Sequence, residues 1–259
     1  MTRRKGRAAR RPIGLATLGM LTALLAAVAT LPVAAQTSDQ VTERVSVASN
    51  GGQGDGISVD AAISADGRYV AFDSTASNLV GGDTNGAIDV FVRDRVSGTT
   101  ERVSLASNEA QGNGHSGDPD ISADGRYVAF GSSAPNLVVN DFNGEGDVFV
   151  RDRSRGATER VSVAPDGTSG NDYSFPGVIS ADGRYVAFWS IASNLVPGDT
   201  NGAGDVFVRD RVTGTTELVS VAKGTQGNGA SYGPAISAGG RYVGFESDAS
   251  NLVEGDTNA

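Results

Sequence analysis

The oxygen-rich run Asp83-Thr84-Asn85-Gly86-Ala87-Ile88-Asp89 recurs as Asp141-Phe142-Asn143-Gly144-Glu145-Gly146-Asp147 and as Asp199-Thr200-Asn201-Gly202-Ala203-Gly204-Asp205. It begins again at Asp256 and Asn258. Side-chain oxygens at the first, third and seventh positions of a glycine turn are the ligands a hard cation such as calcium collects. The run lacks the aspartate-glycine pair in its middle and the distal bidentate glutamate that complete a calcium loop. The same residues have a second physical use. Asp-x-Asn-Gly makes an Asx turn with a glycine at positive φ, and the closing aspartate can then cap a strand or pair with an arginine. Two expectations therefore stand: calcium held by Asp83, Asn85, Asp89, Asp141, Asn143, Asp147, Asp199, Asn201 and Asp205, or turn geometry at those positions.

Other chemistry is thinly provided. His115 is the single histidine and cysteine is absent, which all but excludes Ser-His and Cys-His nucleophiles and histidine-rich metal sites. Paired carboxylates can hydrolyse glycosides, yet no pair outside the repeat stands out. Acidic residues not copied in every unit, Asp118, Asp120 and Asp172, are where any turnover would have to originate. The expectation is a chain without catalysis of its own. Residues that break the repeat are better suited to binding: His115, Tyr173, Phe175 and Tyr232 lie between units, and Phe142 lies in one Asp-Asn loop. Aromatic rings on a polar face stack on sugars or grip peptides, and they can equally fold back over a core.

These residues are positioned by a tandem repeat. Ile-Ser-Ala-Asp-Gly-Arg-Tyr-Val-Ala-Phe starts at Ile63, Ile121 and Ile179 and returns in altered form at Ile236, a spacing of 58, 58 and 57 residues. A unit of that size, copied at a fixed period, buries its apolar surface by stacking on its neighbours. Each unit reads as four short strands. The first ends at Ile63; Ala65-Asp66-Gly67 turns it into Arg68 to Asp73; Asp89 to Arg95 is the third; Val96 to Thr99 turns it into the fourth, Thr100 to Ala106. β-branched and aromatic residues dominate these runs, and no window outside the N-terminal segment has helical periodicity. Because antiparallel strands alternate in direction, the long loops, Ser74 to Ile88 and Ser107 to Asp118 with their copies, all emerge at one end of the sheets. Loops of a dozen residues in such a fold are usually functional.

Four-stranded antiparallel units stacked radially are the blades of a β-propeller. Ser-Ala-Asp-Gly-Arg-Tyr-Val-Ala-Phe followed by Asp-Val-Phe-Val-Arg-Asp resembles the WD40-like (PD40) repeat of TolB-type propellers, and the likeness covers Thr42 to Ala259. It implies an all-β propeller of six or more blades, and it implies no particular function, since such propellers serve as scaffolds, binding modules and appendages of enzymes. Here the motif supplies about 3.5 blades: Thr42 to Asn50 reads as a lone fourth strand, three full blades follow, and the last copy stops before its third strand. An incomplete ring, a piece of a longer product, is the expectation. The alternative is closure of four blades by the N-terminal strand. The repeated arginines, Arg68 and Arg93-Asp94-Arg95 with their copies, read as salt bridges between blades, and Leu79, Leu137, Leu195 and Leu252 as plugs of the blade interfaces.

Residues 1–35 are a separate segment, with six basic residues ahead of a mostly apolar run from Ile13 to Ala29 and small residues at Val33-Ala34-Ala35. This is the pattern of a cleaved export signal, followed by a short linker at residues 36–41. Without the leader's six basic residues, 15 Lys and Arg remain of 21 against 30 Asp and Glu, a net charge of about −15. Such a surface repels nucleic acid and anionic lipid and attracts cations. The expected protein is an exported, non-catalytic propeller at the cell surface, in the periplasm or secreted, without a lasting membrane anchor, binding a protein or glycan on its long-loop face, with calcium as its one candidate cofactor. A propeller portion of a carbohydrate-active or lyase-type enzyme, and a purely structural repeat protein, are the alternatives.

Overall fold

A computed structural model describes residues 41–141 and 143–256. The leader, the linker up to residue 40, Phe142 and Asn258 lie outside the described residues. From Glu43 onward the chain forms one unit, all β among the described residues. Blade 1 contains β1 (Ser58–Ile63), β2 (Tyr69–Ser74), β3 (Asp89–Asp94) and β4 (Thr99–Arg102). Blade 2 contains β5 (Ser116–Ile121), β6 (Tyr127–Ser132), β7 (Asp147–Asp152) and β8 (Ala157–Arg160). Blade 3 contains β9 (Ser174–Ile179), β10 (Tyr185–Ser190), β11 (Asp205–Asp210) and β12 (Thr215–Leu218). A small hairpin, β13 (Val221–Ala222) and β14 (Thr225–Gln226), leads to β15 (Ser231–Ile236) and β16 (Val243–Ser247). Strand order within each blade is sequential and antiparallel, which makes the unit a partial β-propeller. Thr42 to Asn50 departs from the expected fourth strand. Val47 alone is in a β-bridge, an isolated one to Gln53, and among the described residues no third strand lies beside it to complete a ladder.

The sequence explains why each blade needs its neighbours. In blade 2, Phe130 and Phe149 stack at 5.9 Å between ring centres and pack back against Ala71, Val90 and Val92 of blade 1. Ala129, Val148 and Val150, on the opposite face of the same sheet, pack forward against Phe188 and Phe207 of blade 3. Both faces are therefore apolar and both are covered, so the strands read as continuous hydrophobic runs instead of alternating ones. Leu137 and Leu195 are buried at these interfaces as expected, Leu79 is buried with Phe72 and Phe91 beside Val45, and Leu252 is only half-buried.

Polar ties hold the blades in register. The Ser-Ala-Asp-Gly turns are linked in a row, with Ala65 N donating to Ala123 O, Ala123 N to Ala181 O and Ala181 N to Ala238 O, at 2.9–3.0 Å. The turns at Gly125, Gly183 and Gly240 also receive the preceding blade's tyrosine, Tyr69, Tyr127 and Tyr185. Gly125 has φ +72°, and a Cβ there would lie 2.1 Å from the Tyr69 ring. That ring sits between Arg68 and Arg153, at 4.8 and 4.4 Å. The arginines divide their labour differently from the expectation. Arg68, Arg126 and Arg184 bridge within a blade to Asp94, Asp152 and Asp210, because the start of the second strand and the end of the third lie side by side. The bridges between blades are made by Arg95 to Glu43, Arg153 to Glu101 and Arg211 to Glu159. The arginine hydrogen bonds hold Asp94, Asp152 and Asp210 well below the usual carboxylate range.

The tyrosine seat gives a direct test. Gly125→Ala combines positive-φ strain with an overlap that neither rigid partner can relieve, and should cost about 3 kcal/mol. Gly86→Ala, at φ +65° with open space around it, should cost about 1 kcal/mol from strain alone. Denaturant unfolding of both variants checks this, and equal losses would mean that the Tyr69 contact does not constrain the interface.

Candidate functional site

The long-loop end is assembled from two loops that clamp one another. Asn78, Asn136 and Asn194, each beside its buried leucine, donate through Nδ2 to Gln53 O, Gln111 O and Ser169 O in the preceding inter-unit loop. The Asp-x-Asn-Gly run lies against the following one. Asn85 Oδ1 accepts from Ala87 N at 3.0 Å, closing the Asx turn, while its Nδ2 donates to Asp89 Oδ2 and Gly112 O, both at 2.9 Å. Asn143 and Asn201 repeat this, donating to Asp147 and Asp205. In all three copies the asparagine side chain is thus committed to the turn, with its donor group facing the closing aspartate.

In two of the three runs an arginine fills the space between the aspartates. Arg102 Nη1 lies 3.2 Å from Asp83 Oδ1 and 3.4 Å from Asp89 Oδ2, and all three side chains are at most 8% exposed. Arg160 stands likewise between Asp141 and Asp147, at 2.9 and 3.1 Å. The third run differs, since Leu218 occupies the equivalent place. There Gln226 Nε2 donates to Asp199 Oδ1 at 2.7 Å and to Asp205 Oδ2 at 2.9 Å. Burial, reinforced by the neighbouring aspartate, raises Asp83 and Asp141 despite their arginines, and burial raises Asp199 as well. The carboxylates of the first two runs therefore already face a cation supplied by the protein. Among the described residues no group of three or more His, Asp or Glu side chains is placed to hold a metal ion.

The aromatic residues on this end do not gather into one patch. His115, Tyr173 and Phe175 line a cavity of about 310 Å³ that extends from blade 1 to blade 3, together with Asp73, Asp118 and Pro176. His115 is anchored through Nδ1, which accepts from Ile88 N at 3.0 Å. Tyr173 and Phe175 stack at 6.1 Å, and Phe175 lies almost parallel to Trp189 at 3.7 Å. A hydrogen bond to Glu145 raises the Tyr173 hydroxyl above its ordinary value. Tyr232 takes no part, its hydroxyl donating to Asp248 at 3.2 Å. Phe142 lies outside the described residues. A second cavity of about 360 Å³ opens beside the first along the innermost strands. It shares Asp118 and Pro176 with the first and adds Asp60, Asp120 and Trp189.

Two residues the motif reading overlooked shape this site. Asp73 and Trp189 occupy one position of the second strand, which reads Asp73, Gly131, Trp189 and Glu246 along the chain inside an otherwise copied segment. That variation was a visible signal. The position faces the next blade's innermost strand, where a bulge breaks the register. Gly131 leaves room for Pro176, Trp189 stacks on Phe175, and Asp73 meets Gly117 and Asp118. Burial, with repulsion from Asp60 and Asp118, pushes Asp73 up to about 6. Of the aspartates singled out as outside the repeat, Asp120 is a tether between blades, its Oδ2 accepting from Ile179 N at 2.7 Å.

A scan against protein-family models finds no match, nor does a search of curated proteins. Solved structures are similar in fold. TolB from Acinetobacter baumannii is 20% identical, with a TM-score of 0.45, over 73% of this chain and 37% of that one. The putative TolB from Agrobacterium tumefaciens is 19% identical, at 0.41, over 62% and 48%. The β-propeller domain of the Trilobed protease from Pyrococcus furiosus is 15% identical, at 0.40, over 62% and 41%. This chain spans less than half the length of each. The likeness is to the kind of propeller whose repeat the sequence resembles. At such identities activity and partners do not transfer.

Two outcomes follow from the charges. Removing the arginine from a buried pair leaves carboxylates without a counter-ion, a loss of about 3 kcal/mol or more. Arg160→Leu should show that loss in denaturant unfolding, because Ser169 replaces the glutamine in its loop. Arg102→Leu should cost about half as much, because Gln111 Nε2 already donates to Asp83 Oδ1 at 2.9 Å and can bridge as Gln226 does. Asp73 has the opposite sign. Its folded value of about 6 lies above the ordinary 3.8, so its charge destabilises the fold fully above pH 6, and the penalty fades as pH falls towards 4. Asp73→Asn should melt a few degrees higher than the parent at pH 7.5 and level with it near pH 4, a gain of about 3 kcal/mol at most, reduced by solvent screening.

Proposed function

We propose that this chain is an exported β-propeller module that binds a protein or glycan ligand on its long-loop face and carries out no chemistry itself. The observation that supports the reading most is the cavity of about 310 Å³ formed where the repeat is broken, lined by His115, Tyr173 and Phe175 together with Asp73 and Asp118. Its volume lies at the lower end of the range for small-ligand sites, which suits one side chain or one sugar ring. Tyr173 is 45% exposed and Phe175 partly so, and rings presented in this way give much contact at little entropic cost. The carboxylates that recur in each blade are engaged by arginine, asparagine or glutamine, which leaves no pair set apart as acid and base.

Calcium belongs to this proposal at the third run alone, where Asp199 and Asp205 face Gln226 and no arginine. A rise in melting temperature with millimolar calcium, absent in Asp199→Asn, is the expected sign. Export rests on the sequence of residues 1–35, and N-terminal sequencing of protein recovered outside the cytoplasm should begin at Gln36.

The binding reading is tested by presenting the purified chain to arrays of peptides and oligosaccharides, alongside glycoside, peptide and ester substrates. Saturable binding to at least one array member is expected, weakened tenfold or more by Tyr173→Ala, with turnover at background. Turnover lost on changing Asp118 would instead make this an enzyme, and an array without binders would favour a structural role.

A further inference from the structure

Buried aspartates in this protein follow a rule. Asp94, Asp152 and Asp210 each hold an arginine through two hydrogen bonds. Asp89, Asp141 and Asp147 face Arg102 or Arg160. Asp205 takes Asn201, Ser220 and Gln226. Asp73 is the exception. It is 5% exposed, its Oδ1 has no hydrogen-bond partner among the described residues, and the charges nearest to it, Asp60 and Asp118, are of its own sign. Its donors are backbone N–H groups alone, of Asp118 and of Asp73 itself, and a buried carboxylate with one oxygen unsatisfied and no counter-ion costs more than one that is paired. It persists here at the wall of an open cavity.

The same cavity carries a complementary surface. Tyr173, Phe175 and Pro176 line the same cavity, and Phe175 is fixed by its stack on Trp189. An acid and aromatic rings lining one cavity suit a flat cation, because a guanidinium stacks on a ring face while its edge donates to a carboxylate. The protein already uses this arrangement internally, where Arg68 lies over Tyr69 and bridges to Asp94. Among the described residues the site occurs once, since the equivalent position is filled by the Gly131 and Pro176 contact in the next interface and by Trp189 in the one after. Its acidic surroundings also raise the local concentration of cations.

We propose that this cavity receives the arginine side chain of a polypeptide partner, with Asp73 as counter-ion, Asp118 at the rim and the rings of Tyr173 and Phe175 as the stacking wall. The proposal rests on the binding-module reading and gives it a ligand chemistry.

The test uses N-acetylarginine amide and its neutral isostere N-acetylcitrulline amide, titrated into the full chain at pH 7.5. Fluorescence of Trp189, the single tryptophan, reports through its contact with Phe175, and calorimetry reports independently. Saturable binding of the arginine amide is expected, at least tenfold tighter than the citrulline amide. Asp73→Asn should abolish the preference and Asp118→Asn, at an exposed position, should reduce it. Equal binding of the two amides, no binding of either, or an arginine preference that survives both substitutions would overturn the proposal. A calcium chloride response removed by Asp73→Asn, with none to the arginine amide, would overturn it in favour of a metal ion. Binding to neutral oligosaccharides or uncharged peptides, weakened by Tyr173→Ala and untouched by Asp73→Asn, would defeat the arginine site while leaving the binding module standing. An absence of binding to every probe would defeat both.

Discussion

Each complete sheet in this chain is apolar on both faces, and everything else follows from the need to cover both. The phenylalanine pairs project backwards from a blade and the alanine and valine residues project forwards, so the interface is a zipper between unlike halves of neighbouring copies. A blade on its own would expose one of these faces. Stability in such an array belongs to the interfaces as much as to the units. That accounts for how carefully the interfaces are registered, by the row of backbone hydrogen bonds through Ala65, Ala123, Ala181 and Ala238 and by tyrosine rings seated on glycine.

Stacking of this kind forces polar groups into poor surroundings, and the chain answers with arginine. Buried carboxylates at strand ends and in the long loops meet guanidinium groups from adjacent strands. The gain over an apolar pair is small, whereas the loss on removing one partner is large. The arrangement is therefore best understood as a condition for placing long, oxygen-rich loops over a doubly covered sheet. Where the arginine gives way to Leu218, a glutamine amide takes over the two carboxylates, which shows that the need is for donors as much as for charge.

The cavities of the long-loop end lie where the copies differ. The faithful positions, Arg68 and its equivalents, the Asx turns and the buried leucines, all do structural work in every blade. The position shared by Asp73, Gly131, Trp189 and Glu246 does not: it meets the bulged innermost strand of the next blade, and a change there alters the inner wall without disturbing the zipper behind it. The bulges put residues out of the ladder and turn their side chains towards the cavities. An asymmetric pocket can thus be made within a symmetric scaffold.

The sequence by itself determined the repeat, its four strands, the sequential antiparallel order and the gathering of long loops at one end, because period, turn chemistry and strand direction are local properties. It also identified the aromatic residues that break the pattern. Partnership was not legible there. Whether Asp83 and Asp89 face a metal ion or Arg102, and whether Arg68 reaches across a blade or within it, depends on which strands are brought side by side. Pairing places Arg68 against Asp94, 26 residues away, and Arg153 against Glu101, 52 residues away, and no local signal distinguishes the two. Asp73 is the sharpest case. As a residue it is one more aspartate at the end of a strand, and only stacking of blade 2 on blade 1 buries it at a cavity wall, sets it beside Asp118 and leaves its Oδ1 without a partner among the described residues.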